Sequence, residues 1–104
     1  MIAWLERQQR FSEKTFGPGP RTRGVVSHIR KELREIEADP HDLKEWIDVV
    51  ILALDGARRA GFTNEEIEAQ MWATLDRNER RRWPDWRSAS PDEAIEHIRD
   101  EELR

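Results

Sequence analysis

Four acidic residues stand in two pairs of matching spacing, Glu32-x-x-Glu35 and Glu45-x-x-Asp48, with an Asp39-Pro40 break between them. Residues three apart share one face of a helix, so each pair presents two carboxylates from a single helix. The break lets the second helix fold back beside the first, and all four carboxylates can meet at the seam. Glu32 has His28, Ile29, Glu35 and Ile36 at helical spacing, and Glu45 has His41, Asp42, Asp48 and Val49. Neither has a lysine or arginine one turn away, and acidic neighbours at these spacings weaken a helix by roughly a few tenths of a kcal/mol each. Asp48 lies between Ile47 and Val49, where a bare carboxylate is costly to bury. The ordinary state of such residues is a solvated helix face. A hard divalent cation accounts for all three features. Magnesium takes a few carboxylates, keeps several waters and leaves room for substrate phosphates. Two or more such ions activate a water and stabilise the leaving oxygen of an in-line displacement at phosphorus.

The elements that must position these acids are helices. From about Gly24 to Ala38 the apolar residues Val25, Ile29, Leu33 and Ile36 recur in steps of three and four. Asp39 reads as an N-cap and Pro40 as the first helical position of the next helix. That helix carries Leu43, Trp46, Ile47, Val50, Ile51 and Leu54 on more than one side, so it is expected to be the central and most buried one. Arg58 and Arg59 suit its C-terminal dipole, and Gly61 suits its end. A short helix over residues 2 to about 14 precedes the pair, followed by the Phe16-Gly17-Pro18-Gly19-Pro20 loop, which excludes regular structure. This loop is either simple punctuation or a rigid support carrying Arg21 and Arg23 towards an anionic ligand. Thr63 to Glu66 is a capping box opening a helix that runs to about Arg82, with Ile67, Met71, Trp72 and Leu75 inward. Ser90-Pro91-Asp92-Glu93 predicts a last helix from about Pro91 to Glu102. No sustained alternation argues for a strand. The expected fold is therefore all-α, a compact helical bundle with an antiparallel metal-binding helix pair. It is expected to be one domain over residues 1–104.

Charged residues make up 38% of the chain and apolar ones 37%, a profile that calls for oligomerisation to complete the core. The net charge of -4 argues against general nucleic-acid binding, which needs a basic surface. There is no cysteine, which excludes disulfides and thiolate metal sites. The longest apolar run, Val49 to Leu54, is far short of a membrane span, and the charged start MIAWLERQQR is unlike a signal peptide. A cytoplasmic location is expected.

Other residues have narrower readings. His28, one turn before Glu32, is placed to orient a carboxylate by a hydrogen bond. Asp42 serves a helix N-terminus and Asp55 can pair with Arg58 or Arg59, so both fall outside the metal shell. Arg80, Arg81 and Arg82 beside Trp83 and Trp86 could stack single-stranded bases, but they equally suit a helix C-terminus or a triphosphate. Trp46 and Trp72 fit the apolar stripes as core residues, and Trp83 is the first candidate for stacking on a purine.

The acidic signature resembles that of the MazG-like all-α nucleoside triphosphate pyrophosphohydrolases. Flanking segments narrow the match: Thr15-Phe16-Gly17-Pro18-Gly19, then Gly24-Val25-Val26-x-His28-Ile29-x-Lys31-Glu32-Leu33, then Asn78-x-x-Arg81-x-Trp83-Pro84-Asp85-Trp86. With Ser90 to Ile98, the chain resembles the dATP/dGTP pyrophosphohydrolase branch over nearly its whole length. The resemblance implies hydrolysis of a purine (deoxy)nucleoside triphosphate to the monophosphate and pyrophosphate, with two or more Mg2+ or Mn2+ ions per site. It assigns Glu32, Glu35, Glu45 and Asp48 to the metals, whose bound water would attack the α-phosphorus. Lys31 and Arg81 would neutralise phosphate charge, and Asn78 would help place the nucleotide. It further implies a homodimer or homotetramer and, if the chain is phage-encoded, action in the host cytoplasm. Thr74 stands where the branch pattern has a lysine one turn before the asparagine. That departure motivates an alternative, a non-catalytic helical protein binding a nucleotide or partner on the same scaffold.

Overall fold

The computed structural model describes residues 1–99. Among these residues there are four α-helices and one short 3-10 turn, and no strand. The helices are α1 (Ile2–Phe16), α2 (Thr22–Ala38), α3 (Leu43–Arg59) and α4 (Asn64–Arg80), and the 3-10 turn covers Trp86–Ser88. The chain divides into two compact units, Met1–Gln70 and Met71–Arg104, and the boundary falls within α4.

In the first unit α3 packs against both α1 and α2. Its partnership with α2 is antiparallel: Gly56 near the end of α3 meets Val25 near the start of α2, and Glu45 near the start of α3 meets Glu32 and Glu35. The approach at Gly56 is close, since a Cβ there would lie 3.2 Å from Val25 Cγ1. The reversal between these helices differs from the expected one. Asp39 closes α2, its N–H bonding to Glu35 O, and Asp42 N bonds back to Asp39 O. The N-cap of α3 is Asp42, whose side chain accepts from Lys44 N at 3.0 Å. Asp39-Pro40 therefore belongs to the turn, because the side chain that reaches a free helical N–H is the one immediately before Leu43.

The core is small. Among the described residues Leu5, Val25, Ile36 and Ile67 are its buried apolar side chains, with Leu5 fully enclosed. The central place of α3 holds, but its expected burial does not. Trp46, Ile47 and Val50 are each close to half exposed, and the buried residues of α3 are Asp55 and Arg58. An apolar surface wider than one stripe exceeds what α1 and α2 cover. Trp46 and Trp72 are accordingly exposed rather than core residues. Trp46 donates its indole N–H to Pro40 O at 2.9 Å, across the reversal.

Polar contacts complete the packing of α1. Ser12 Oγ donates to Asp55 Oδ1 at 2.6 Å, and Arg59 Nε donates to Asp55 Oδ2 at 2.8 Å. Arg59 also reaches the loop after α1, donating from Nη1 to Gly17 O at 2.9 Å and Gly19 O at 2.8 Å. Gly17 and Gly19 have φ of 86° and 90°, a conformation that glycine adopts without steric cost. Arg58 is buried beside Asp55, and desolvation pulls its guanidinium below the ordinary arginine range. The capping box forms as expected, Glu66 N donating to Thr63 Oγ1 and Thr63 N to Glu66 Oε1.

In the second unit the expected last helix is absent over residues 91–99, and its remainder lies outside the described residues. Ser90 instead closes a turn, accepting from Asp92 N on its hydroxyl and from Glu93 N on its carbonyl. Ile98 N then bonds to Arg82 O at 2.8 Å, and the His97 ring meets the Trp83 ring edge-on. The sparse stripe Ala94, Ile95 and Ile98 offers little packing, and a helix this short is marginal without it.

Truncating Leu5 to alanine removes the one fully enclosed apolar side chain among the described residues. Urea denaturation should show a loss of about 2–5 kcal/mol, with the same secondary structure by circular dichroism.

Candidate metal centre

The site is built at one end of the α2–α3 pair. Glu32 and Glu35 are three apart on α2 and share its face, while Glu45 sits in the first turn of α3, just after the Asp42 cap. Antiparallel packing brings the three together, with one oxygen from each within 4.8 Å of the others. Glu32 is only 5% exposed. Glu45 and Glu35 are half-buried. Asp48 lies one turn beyond Glu45 on α3, partly buried, and is not among the three grouped carboxylates.

Two neighbours moderate the negative charge. His28 Nε2 stands 3.2 Å from Glu32 Oε1, one turn back on α2, as its spacing predicted. Lys31 Nζ is 3.9 Å from Glu35 Oε1, so the cluster has one exposed ammonium at its edge. Even so, three carboxylates cannot share this volume fully ionised without cost. Hydrogen bonding to the Glu35 carboxylate, followed by burial, pushes the Glu45 carboxyl up to about 7. Glu35 is held below the ordinary range, first by the hydrogen bond it accepts from Glu45 and then by Glu32. The two carboxyls are thus pushed in opposite directions, Glu45 towards the protonated form and Glu35 towards the ionised one.

A divalent cation fits this arrangement on the atoms present. Glu32 Oε2 and Glu45 Oε2 are both buried and have no hydrogen-bond partner. A buried, unpaired carboxylate oxygen is a strained state. Hard oxygen donors of this kind are the ligands magnesium and manganese take.

The residues expected to meet the nucleotide fall in two places. Lys31 is at the carboxylate cluster. Asn78 and Arg81 belong to the second unit and are held to one another, Arg81 Nη1 donating to Asn78 Oδ1 at 3.2 Å. Trp83 donates its indole N–H to Asn78 O at 2.8 Å. Asp55 pairs with both Arg58 and Arg59 and is not among the three grouped carboxylates. The sequence reading missed Ser12, a small polar residue on an α1 face otherwise marked by Leu5. Its spacing of seven from Leu5, two helical turns, was the available signal.

The fold and the site define an all-helical protein that gathers three carboxylates across an antiparallel helix pair. The chain belongs to the dATP/dGTP pyrophosphohydrolase family, whose sequence pattern matches residues 4–101. It is also similar to the Eaa protein of Salmonella phage P22, 40% identical over 82 residues. That match covers 78% of this chain and 25% of the phage protein, so the chain spans about a quarter of that relative's length. No solved structure matches the chain. Among the described residues no helix is long and apolar enough to cross a membrane.

The raised Glu45 carboxyl gives the site a pH signature. Its folded-state value is raised from 4.5 to about 7, so in the presence of a chelator the folded state loses stability as pH rises through that interval. A cation bound at these oxygens would displace the proton, so its affinity should rise over the same interval. Thermal melts at pH 5 and pH 8, with chelator and with manganese, should show both trends, and Glu45→Gln should flatten them.

Proposed function

We propose that this chain hydrolyses a purine (deoxy)nucleoside triphosphate, dGTP or dATP, to the monophosphate and pyrophosphate. The supporting observation is the Glu32, Glu35 and Glu45 cluster with its two buried, unpartnered oxygens, in a chain of the dATP/dGTP pyrophosphohydrolase family. Glu32, Glu35, Glu45 and Asp48 hold two or more Mg2+ or Mn2+ ions, with Asp48 joining from the next turn of α3. When bound, such ions neutralise phosphate charge and make a coordinated water more acidic.

The chain's own groups bind and orient the substrate. His28 fixes the direction of the Glu32 carboxylate. Lys31 is exposed at the rim of the cluster, where its ammonium can turn from Glu35 to a phosphate oxygen. Arg81 occupies the side-chain oxygen of Asn78, which leaves the Asn78 amide N–H groups to donate to the nucleotide. The new bond joins a water oxygen to the α-phosphorus. The bond that breaks runs from the α-phosphorus to the α,β-bridging oxygen, and pyrophosphate departs.

The half-exposed apolar side chains of α3, Trp46, Ile47 and Val50, are the surface on which a second copy would pack. The working form is a homodimer or homotetramer. It acts in the cytoplasm, and the relative in Salmonella phage P22 is consistent with a phage-encoded protein working in its host. In sedimentation experiments Val50→Glu should shift the assembly to the monomer.

Product analysis with eight ribo- and deoxynucleoside triphosphates tests the chemistry. Monophosphate and pyrophosphate are expected, lost on adding a chelator, with Glu35→Gln and Asp48→Asn inactive but folded. Diphosphate and phosphate as products would overturn the position of attack. Intact triphosphate bound with magnesium would instead identify a nucleotide-binding protein.

A further inference from the structure

The carboxylates occupy one stretch of α2, but the face they share continues towards the start of that helix. At 100° per residue, Arg21, Gly24, His28, Glu32 and Glu35 fall within a narrow sector. Arg21 and Glu32, eleven positions apart, are offset by only about 20°, and are separated by roughly 16 Å along the axis. The side chain of Arg21 shortens that gap. Its Nη2 lies over Gly24, 3.2 Å from where a Cβ would stand, and its guanidinium carbon is 5.6 Å from the Phe16 ring centroid. Glycine at 24 thus leaves room for the guanidinium, which also stands within cation–π range of the Phe16 ring. Among the described residues no carboxylate forms an ion pair with Arg21. An arginine held in place without an acidic partner has its donors available for a ligand.

The support beneath this arginine is unusually complete. Arg59 engages Asp55, the Ser12 hydroxyl and carbonyl, and the carbonyls of Gly17 and Gly19. A nearly buried guanidinium, its side chain 5% exposed, is thereby committed to fixing the loop that ends at Arg21.

We infer that Arg21 is a further substrate-binding residue, taking the terminal phosphate of a triphosphate laid along α2, and that Arg59 is its positioning residue. This rests on the proposed reaction at the carboxylate cluster. An arginine fork suits a phosphate oxygen pair, and holding it in place beforehand removes the ordering cost on binding.

Steady-state kinetics on the magnesium-loaded protein, with product inhibition by the monophosphate, tests the assignment. Arg21→Gln should raise KM for the triphosphate roughly tenfold, as expected for loss of a charge-assisted bond, with kcat and monophosphate inhibition little changed. Arg59→Lys should move KM in the same direction. The double variant should be no worse than Arg21→Gln alone, because Arg59 acts through Arg21. Additive losses would overturn the positioning role. An unchanged KM in Arg21→Gln would overturn the inference while leaving the proposed activity intact. Equal weakening of monophosphate and triphosphate would also overturn it, placing Arg21 on the nucleoside. Should the unsubstituted protein hydrolyse no triphosphate, the proposed activity fails and the inference fails with it.

Discussion

Three carboxylate oxygens held within 4.8 Å repel one another, and the surrounding structure is arranged to keep them there. Helix α2 supplies two of them from one face, and α3 supplies the third from its first turn. That first turn is where a carboxylate is favoured by the helix dipole, so the backbone offsets part of the repulsion at Glu45. Near the other end of the helix pair, Gly56 lets α3 approach Val25 on α2. The raised Glu45 carboxyl and the approach of His28 Nε2 to Glu32 Oε1 are local adjustments to the charge that remains. Glu32 Oε2 and Glu45 Oε2 nevertheless remain buried without a hydrogen-bond partner.

A second polar group organises the same unit from a different direction. Ser12, Asp55 and Arg59 join α1, α3 and the glycine-proline loop through short hydrogen bonds. Apolar burial is slight, so directional contacts set the register of α1 on α3. Buried groups of this kind tolerate few alternative arrangements, because an unpaired charge in the same place is far more costly than a paired one. The loop they hold is consequently fixed at both its glycines.

Much of this was legible in the sequence. Steps of three and four in Val25, Ile29, Leu33 and Ile36 marked α2, and the Thr63–Glu66 box marked the start of α4. The pairing of Asp55 with the following arginines was also readable, since it depends only on helical spacing. Where local signals competed, reading was harder. Asp39 and Asp42 are both good caps, and the choice depends on which residue the reversal leaves beside a free N–H. Ser90-Pro91 has the chemistry of a helix start, but Ile98 finds its partner in Arg82, a contact distant in sequence. Trp46 and Trp72 follow helical stripes faithfully, yet periodicity reports which face is apolar and not whether a single chain covers it. Ser12 was missed because its role depends on a partner 43 residues away.

The short roster of buried apolar side chains has a thermodynamic corollary. A domain of this size draws its net stability from a small difference between large terms, and here the apolar term is modest. Whatever binds the folded chain and not the unfolded one therefore contributes a large share of the total through mass action. The concentration of any such ligand becomes a variable of folding as well as of binding. The fraction folded inside a cell would then follow the supply of what the protein binds.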